Sequence, residues 1–105
     1  MPSSQHFVYI LRCRGNRLYT GYATNVQARY AKHLEGTGAR FTKAFPPSEI
    51  LRVFQCPDKS SALRLEAAIK KLRRPGKESL VHRCAQAQAS APYLVEHIEA
   101  ILEAR

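Results

Sequence analysis

From His6 to Cys13 the chain reads His-Phe-Val-Tyr-Ile-Leu-Arg-Cys, with apolar side chains in both alternating sets. That pattern predicts a strand covered on both faces, and so the central strand of its sheet. Arg14-Gly15-Asn16-Arg17 predicts a turn, and Leu18 to Tyr22 the returning strand of a hairpin. Gly21 marks where regular pairing should end, at a place where the backbone bends or passes close to another group. The period then changes from 2 to 3.6. Val26, Tyr30 and Leu34 form one apolar stripe, Thr24 and Gln27 fit a capping box, and Gly36 fits a stop, so a helix is expected from about 25 to 35. Arg29 and His33 fall one turn apart on one edge of that stripe, pointing along the seam between helix and sheet.

Gly36 to Pro47 is rich in glycine and proline, basic, and interleaved with Phe41 and Phe45, which predicts a functional loop. Ile50 to Cys56 is a third strand, closed by Pro57-Asp58. A second helix should run from Ser60 or Ser61 to Arg73, burying Ala62, Leu65, Ala68, Ile69 and Leu72 and leaving Glu66 near the edge of the buried side. Arg74-Pro75-Gly76 should break it before a third helix from Lys77 to about Ala87. Ser90-Ala91-Pro92 then caps a terminal amphipathic helix with Leu94, Val95, Ile98, Ile101 and Leu102 facing inward.

A chain of 105 residues, 45% hydrophobic, holds one compact domain with an ordinary core. The charge changes the picture more. The net value is +9, residues 1–84 carry 16 basic and 5 acidic groups, and no acidic residue precedes Glu35. Such a field draws polyanions, with nucleic acid the first candidate and solubility alone the plain alternative. No basic helix carries a bulky apolar face, which argues against a membrane surface. No stretch is long enough to span a bilayer and the start lacks the marks of a signal peptide, so a cytoplasmic location is expected. Cys13, Cys56 and Cys84 are odd in number and widely spaced, as reduced, partly buried thiols would be, with no zinc-site spacing.

Hydrolysis of a phosphodiester needs a group to deprotonate water, a cation to stabilise the crowded phosphate, and usually a metal ion. Tyr9 and Tyr19 face each other across the hairpin. Arg29 offers a forked clamp for phosphate, His33 lies a turn away, and Glu66 is an oxygen ligand for a hard cation. Each also has a structural reading: a cross-strand aromatic pair filling core, a solvated helix edge, and a Glu66/Lys70 surface pair one turn apart.

Phe7-Val8-Tyr9 and Tyr19-Thr20-Gly21, followed by Arg29, His33, Gly36-x-Gly38 through Phe41-Thr42, and Glu66 with Lys70, resemble the GIY-YIG nuclease domain, and more narrowly its small stand-alone bacterial UPF0213-like members. The resemblance covers residues 5–84 and leaves 85–105 as a C-terminal helical extension. It implies an α+β, sandwich-like fold: a small three-stranded antiparallel sheet flanked by helices. It also implies one-metal, in-line hydrolysis of a nucleic acid, leaving a 5′ phosphate. By position, Tyr9 matches the general base or water-orienting tyrosine, Tyr19 the tyrosine beside the scissile phosphate, and Arg29 the arginine that stabilises charge. His33 matches a polarising or relaying histidine, and Glu66 the ligand of a single Mg²⁺ or Mn²⁺. Phe7 and Thr20 depart from the name-giving motifs without removing a catalytic group.

With no second domain to grip a duplex, affinity must come from the basic surface, for which Arg40, Lys43, Lys70, Arg73, Arg74 and Lys77 are the candidates. Phe41 and Phe45 either stack unpaired bases or form an apolar lid over the core. The expected protein is a monomeric, metal-dependent endonuclease acting in DNA repair on branched or single-stranded nucleic acid, with DNA favoured over RNA. A tyrosine base would make its activity climb into the alkaline range. The rivals are a non-catalytic nucleic-acid-binding module and an interaction protein docking through the terminal helix.

Overall fold

A computed structural model of the chain describes residues 6–84. The expected terminal helix and the extension 85–105 lie outside the described residues. Strands β1 (His6–Cys13) and β2 (Arg17–Ala23) form the hairpin, helix α1 (Val26–Glu35) and a short helix α2 (Arg40–Ala44) follow, and β3 (Pro47–Cys56) returns to the sheet before α3 (Lys59–Lys71) and α4 (Arg74–Cys84). The sheet is antiparallel in the order β2-β1-β3. The central position of β1 follows from its sequence, because only a middle strand has both faces covered, and Val8, Tyr9, Ile10 and Leu11 are all at most 2% exposed.

Alternation along β1 divides the core in two. Val8 and Ile10 join Phe54, Cys56 and the buried stripe of α3, Ala62, Leu65, Ala68 and Ile69, with Leu72 and Leu80 closing the edge. Tyr9, Leu11 and Cys13 point the other way, toward Val26 and Tyr30 of α1 and Phe41 and Phe45 of the α2 segment. One face is thus ordinary aliphatic core, and the other is lined with tyrosines and carries the polar chemistry. Cys13 and Cys56 are buried, and burial pushes both thiol pKa values up, which makes them inert. No helix among the described residues is long and apolar enough to cross a membrane.

Several boundaries differ from the expected ones for local reasons. The turn after β1 places Gly15 and Asn16 in the left-handed region, at φ 75° and 59°, which those two residues tolerate best. The side chain that caps α1 is Asn25, whose Oδ1 accepts from the Ala28 amide at 3.0 Å, and not Thr24. The segment expected as a loop contains α2, since Thr42 folds back on Ala39 and the Phe45 amide donates to the Phe41 carbonyl at 2.8 Å. β3 begins at Pro47 and skips register between the partners of Ile10 and Leu11 and again between those of Arg12 and Cys13, the signature of bulges. Asp58, expected only to end that strand, caps α3 by accepting from the Ser61 amide at 2.7 Å. Arg74-Pro75-Gly76 begins α4 instead of separating helices, because the first helical turn has no need of proline's missing N–H. α4 is tied to β3 by Arg52, whose Nε donates to the Val81 carbonyl at 2.8 Å.

Candidate active site

Tyr9 stands opposite Gly21 in the hairpin and Leu11 opposite Tyr19, so the two tyrosines lie diagonally on one face rather than directly across. Their rings are 6.4 Å apart. Gly21 has an ordinary backbone conformation, and its role is space: a Cβ there would lie 2.4 Å from the Tyr9 hydroxyl. The phenol crosses over the glycine to reach α1.

On α1 the expected stripe is rotated. Leu34 is 54% exposed while His33 is buried at 1%. The reason is a polar partner on the sheet: the Tyr9 hydroxyl lies 2.7 Å from His33 Nε2. His33 Nδ1 lies 2.7 Å from the hydroxyl of Thr42, which in turn sits 3.2 Å from the Ala39 carbonyl and accepts from the Ala39 amide at 3.3 Å. Gly38 makes this approach possible, since a Cβ there would fall 2.4 Å from Nδ1.

Counting hydrogens assigns the tautomer. A neutral imidazole has one N–H. If Nδ1–H donates to Thr42, the Thr42 hydrogen goes to the Ala39 carbonyl, Nε2 accepts from the Tyr9 O–H, and every donor is used. The opposite tautomer leaves the Tyr9 O–H without an acceptor among the described residues, an expensive state for a buried donor. The chain therefore runs Tyr9 O–H to Nε2 and Nδ1–H to Thr42. Thr42 was legible only as part of a basic, aromatic stretch; nothing in periodicity ties it to a histidine nine residues earlier.

The charges match this direction. Burial pushes the Tyr9 phenol well above its ordinary range, Tyr19 and Glu66 add to the rise, and Arg29 opposes it. Burial, helped by the Arg29 cation, pushes His33 below its ordinary value. His33 is thus neutral at pH 7 and able to take the phenol's proton, whereas Tyr9 does not ionise unaided. The fields of Arg29 and Glu66 both reach Tyr9, with opposite signs. Arg29 is solvent-exposed and makes no ion pair among the described residues. Tyr19 packs edge-on to His33 at 5.2 Å, and its hydroxyl has no hydrogen-bond partner among the described residues.

Glu66 is held by the Lys70 ammonium at 3.3 Å. It is the carboxylate whose charge reaches Tyr9, and no group of three His, Cys, Asp or Glu gathers anywhere among the described residues. A hard cation could therefore use Glu66 only with water and phosphate oxygens completing its shell. The basic candidates fall on two flanks. Arg40 and Lys43 are exposed on α2. Lys70, Arg73, Arg74 and Lys77 crowd the α3–α4 junction, where burial first and then repulsion from Lys70 and Arg74 push the Lys77 pKa down. Arg74 is paired with Glu78 at 2.8 Å. Phe41 stacks on Tyr19 at 5.6 Å, and Phe45 lies under the Arg17 guanidinium at 3.9 Å, so both rings roof the core.

A three-stranded antiparallel sheet with helices on both faces, and paired tyrosines meeting a histidine from the next helix, define a GIY-YIG domain; the family model described as "GIY-YIG catalytic domain" matches residues 5–79, and the chain belongs to that nuclease family. Its relatives include the UPF0213 proteins. One from Natronomonas pharaonis is 43% identical over 79 residues, covering 75% of this chain and 93% of its own. One from Oceanobacillus iheyensis is 46% identical over 77 residues, covering 73% and 90%. The solution NMR structure of the UPF0213 protein BH0048 from Bacillus halodurans superposes with a TM-score of 0.51 at 37% identity, covering 87% of this chain and 92% of the other.

Proposed function

We propose that the protein is a divalent-metal-dependent endonuclease that hydrolyses phosphodiester bonds of nucleic acid, DNA in preference to RNA. The observation that carries this reading is the hydrogen-bonded chain Tyr9–His33–Thr42, a phenol bonded to a buried imidazole that is anchored from behind. A water attacking phosphorus gives its proton to the Tyr9 oxygen while the Tyr9 hydrogen passes to His33 Nε2, so the phenol stays neutral and the imidazole becomes charged. Nδ1–H remains anchored on Thr42. Tyr9 is only 2% exposed, which keeps bulk water off the relay and makes the nucleophile a water delivered with the substrate. The free Tyr19 hydroxyl and the Arg29 fork bind non-bridging oxygens as charge builds on the phosphate. Glu66 would hold one Mg²⁺ or Mn²⁺, which when bound supplies Lewis-acid stabilisation of the phosphate.

Binding without turnover is the second reading, and one observation favours it: Lys70 occupies the carboxylate that a metal would need. Cleavage of labelled single-stranded, duplex and flap DNA with Mg²⁺, with Mn²⁺ and with chelator separates the two. Cutting that needs metal and disappears in Glu66→Ala supports the nuclease. Salt-sensitive binding with no cutting under any of these conditions supports the binding module.

A further inference from the structure

Two clefts meet at the N-terminal turn of α1. The first, about 470 Å³, lies between β2 and α1 and is lined by Tyr22, Thr24, Asn25, Arg29, Lys32 and Thr37 among others. The second, about 380 Å³, shares Thr24 and Asn25 with it and is walled by Phe7, Val26 and Val53. Both have the size of small-molecule sites. Their chemistry differs sharply. The first presents two exposed cations with no acidic residue in its lining, and neither Arg29 nor Lys32 has an ion-pair partner among the described residues. The Oδ1 of Asn25 is taken by the Ala28 amide, which leaves the side-chain NH₂ free to donate. The second carries no charge and has an apolar wall opposite Thr24, Asn25 and Gln27, with Val53 46% exposed and Phe7 half-buried.

An anion site joined to an aromatic, apolar wall has the two halves of a nucleotide. The link to the candidate active site is Arg29, which lines the first cleft and whose charge also reaches Tyr9 and His33. The lining of the first cleft also borders the relay along the chain: Tyr22, Lys32 and Thr37 adjoin Gly21, His33 and Gly38, the residues that form or pack against the Tyr9–His33 pair. A base inside a duplex is paired and stacked and cannot reach such a wall, whereas an unpaired base can.

We propose that the paired clefts form a subsite for the nucleotide next to the scissile bond, with its phosphate between Arg29 and Lys32 and its base against Phe7 and Val53. The subsite selects single-stranded nucleic acid. Phe41 and Phe45 are already engaged with Tyr19 and Arg17, so base contact belongs to Phe7. The proposal rests on the nuclease reading for what enters the site, but its test needs binding alone.

A 5-iodouracil-substituted single-stranded DNA is bound to the whole protein in chelator, so that no cleavage occurs, and photocrosslinked. The crosslink is expected on Phe7. Phe7→Leu, which keeps the apolar bulk and removes the ring face, loses that crosslink and binds about 5-fold more weakly, the low end of one base–aromatic stack. Lys32→Ala lowers the slope of log affinity against log salt by about 0.7, one phosphate contact on a single strand. Circular dichroism confirms that both variants are folded. Crosslinks on Phe41 or Phe45, with Phe7→Leu and Lys32→Ala binding like the wild type, overturn the subsite and leave the nuclease reading intact. If the wild-type protein binds no nucleic acid at all, both fall together.

Discussion

Gly21→Ala adds one methyl group at the point where the sheet and the relay touch. Its Cβ would lie 2.4 Å from the Tyr9 hydroxyl oxygen and 2.5 Å from Cζ, where ordinary contacts begin at 3.4 Å, so the ring has to retreat by about 1 Å. There is nowhere to retreat, because Tyr9 is 2% exposed and bonded at 2.7 Å to His33. Overpacking of a dense core costs about 1–3 kcal/mol. Stretching the buried hydrogen bond adds about 0.5–1.5 kcal/mol. Together they predict a loss of about 1.5–4.5 kcal/mol, or a fall in Tm of roughly 6–36 °C for a domain of this size. Thermal unfolding followed by circular dichroism measures it. A double-mutant cycle identifies the cause: in a Tyr9→Ala background the new methyl has room, so the two substitutions should couple by about 1–3 kcal/mol. A Gly21→Ala protein that melts within about 2 °C of wild type, or one whose loss is the same without the tyrosine ring, would mean that the methyl does not press on Tyr9.

The pH dependence of stability follows from the same pair. His33 is depressed below 6.5, so its contribution is present above that value and lost as pH falls through the lower folded-state value; Tyr9 is raised above 10.0, so its contribution is present below 10 and lost as pH rises beyond it. Urea unfolding across pH should show a broad maximum between those values, and in Tyr9→Phe the maximum should be lower but extend further into the alkaline range, because the group whose ionisation ends it is gone. For activity, cleavage should be lost on the acid side as His33 protonates and should level off by neutral pH, replacing the alkaline climb expected of an isolated tyrosine base. Lys70→Ala should lower the metal concentration for half-maximal cleavage by about twofold, since an i, i+4 pair contributes about 0.3–0.5 kcal/mol to holding Glu66. Arg52→Met removes the donor to the Val81 carbonyl and should cost about 1–2 kcal/mol in chemical denaturation, with little change in cleavage.

The sheet and its polarity were legible because β1 is apolar on both faces, and only a central strand needs that. The family resemblance brought together the polar residues of the site, but their arrangement was harder to see. Helical periodicity weighs Leu34 as an inward residue and cannot know that the Tyr9 hydroxyl awaits His33, so it misjudges the rotation of α1. Thr24 and Asn25 are both good cap formers standing side by side, and only the geometry chooses Asn25. α2 is one short turn of helix stabilised by Thr42, too brief for any period to register. Pro75 has the look of a breaker in the sequence, although proline in a first turn begins helices as readily as it ends them. Phe7 stands at a name-giving position of the family motif, and only the shape of the clefts at α1 suggests a use for its ring.

The most direct measurement of the central claim is single-turnover cleavage of a single-stranded DNA by wild type and Tyr9→Phe at saturating metal and protein. The removal of one hydroxyl should lower the rate about 10²–10⁴-fold, the usual contribution of a general base, with affinity for the strand unchanged. Cleavage by Tyr9→Phe at the wild-type rate would contradict the account, because the relay from Tyr9 to His33 would then carry no proton that matters.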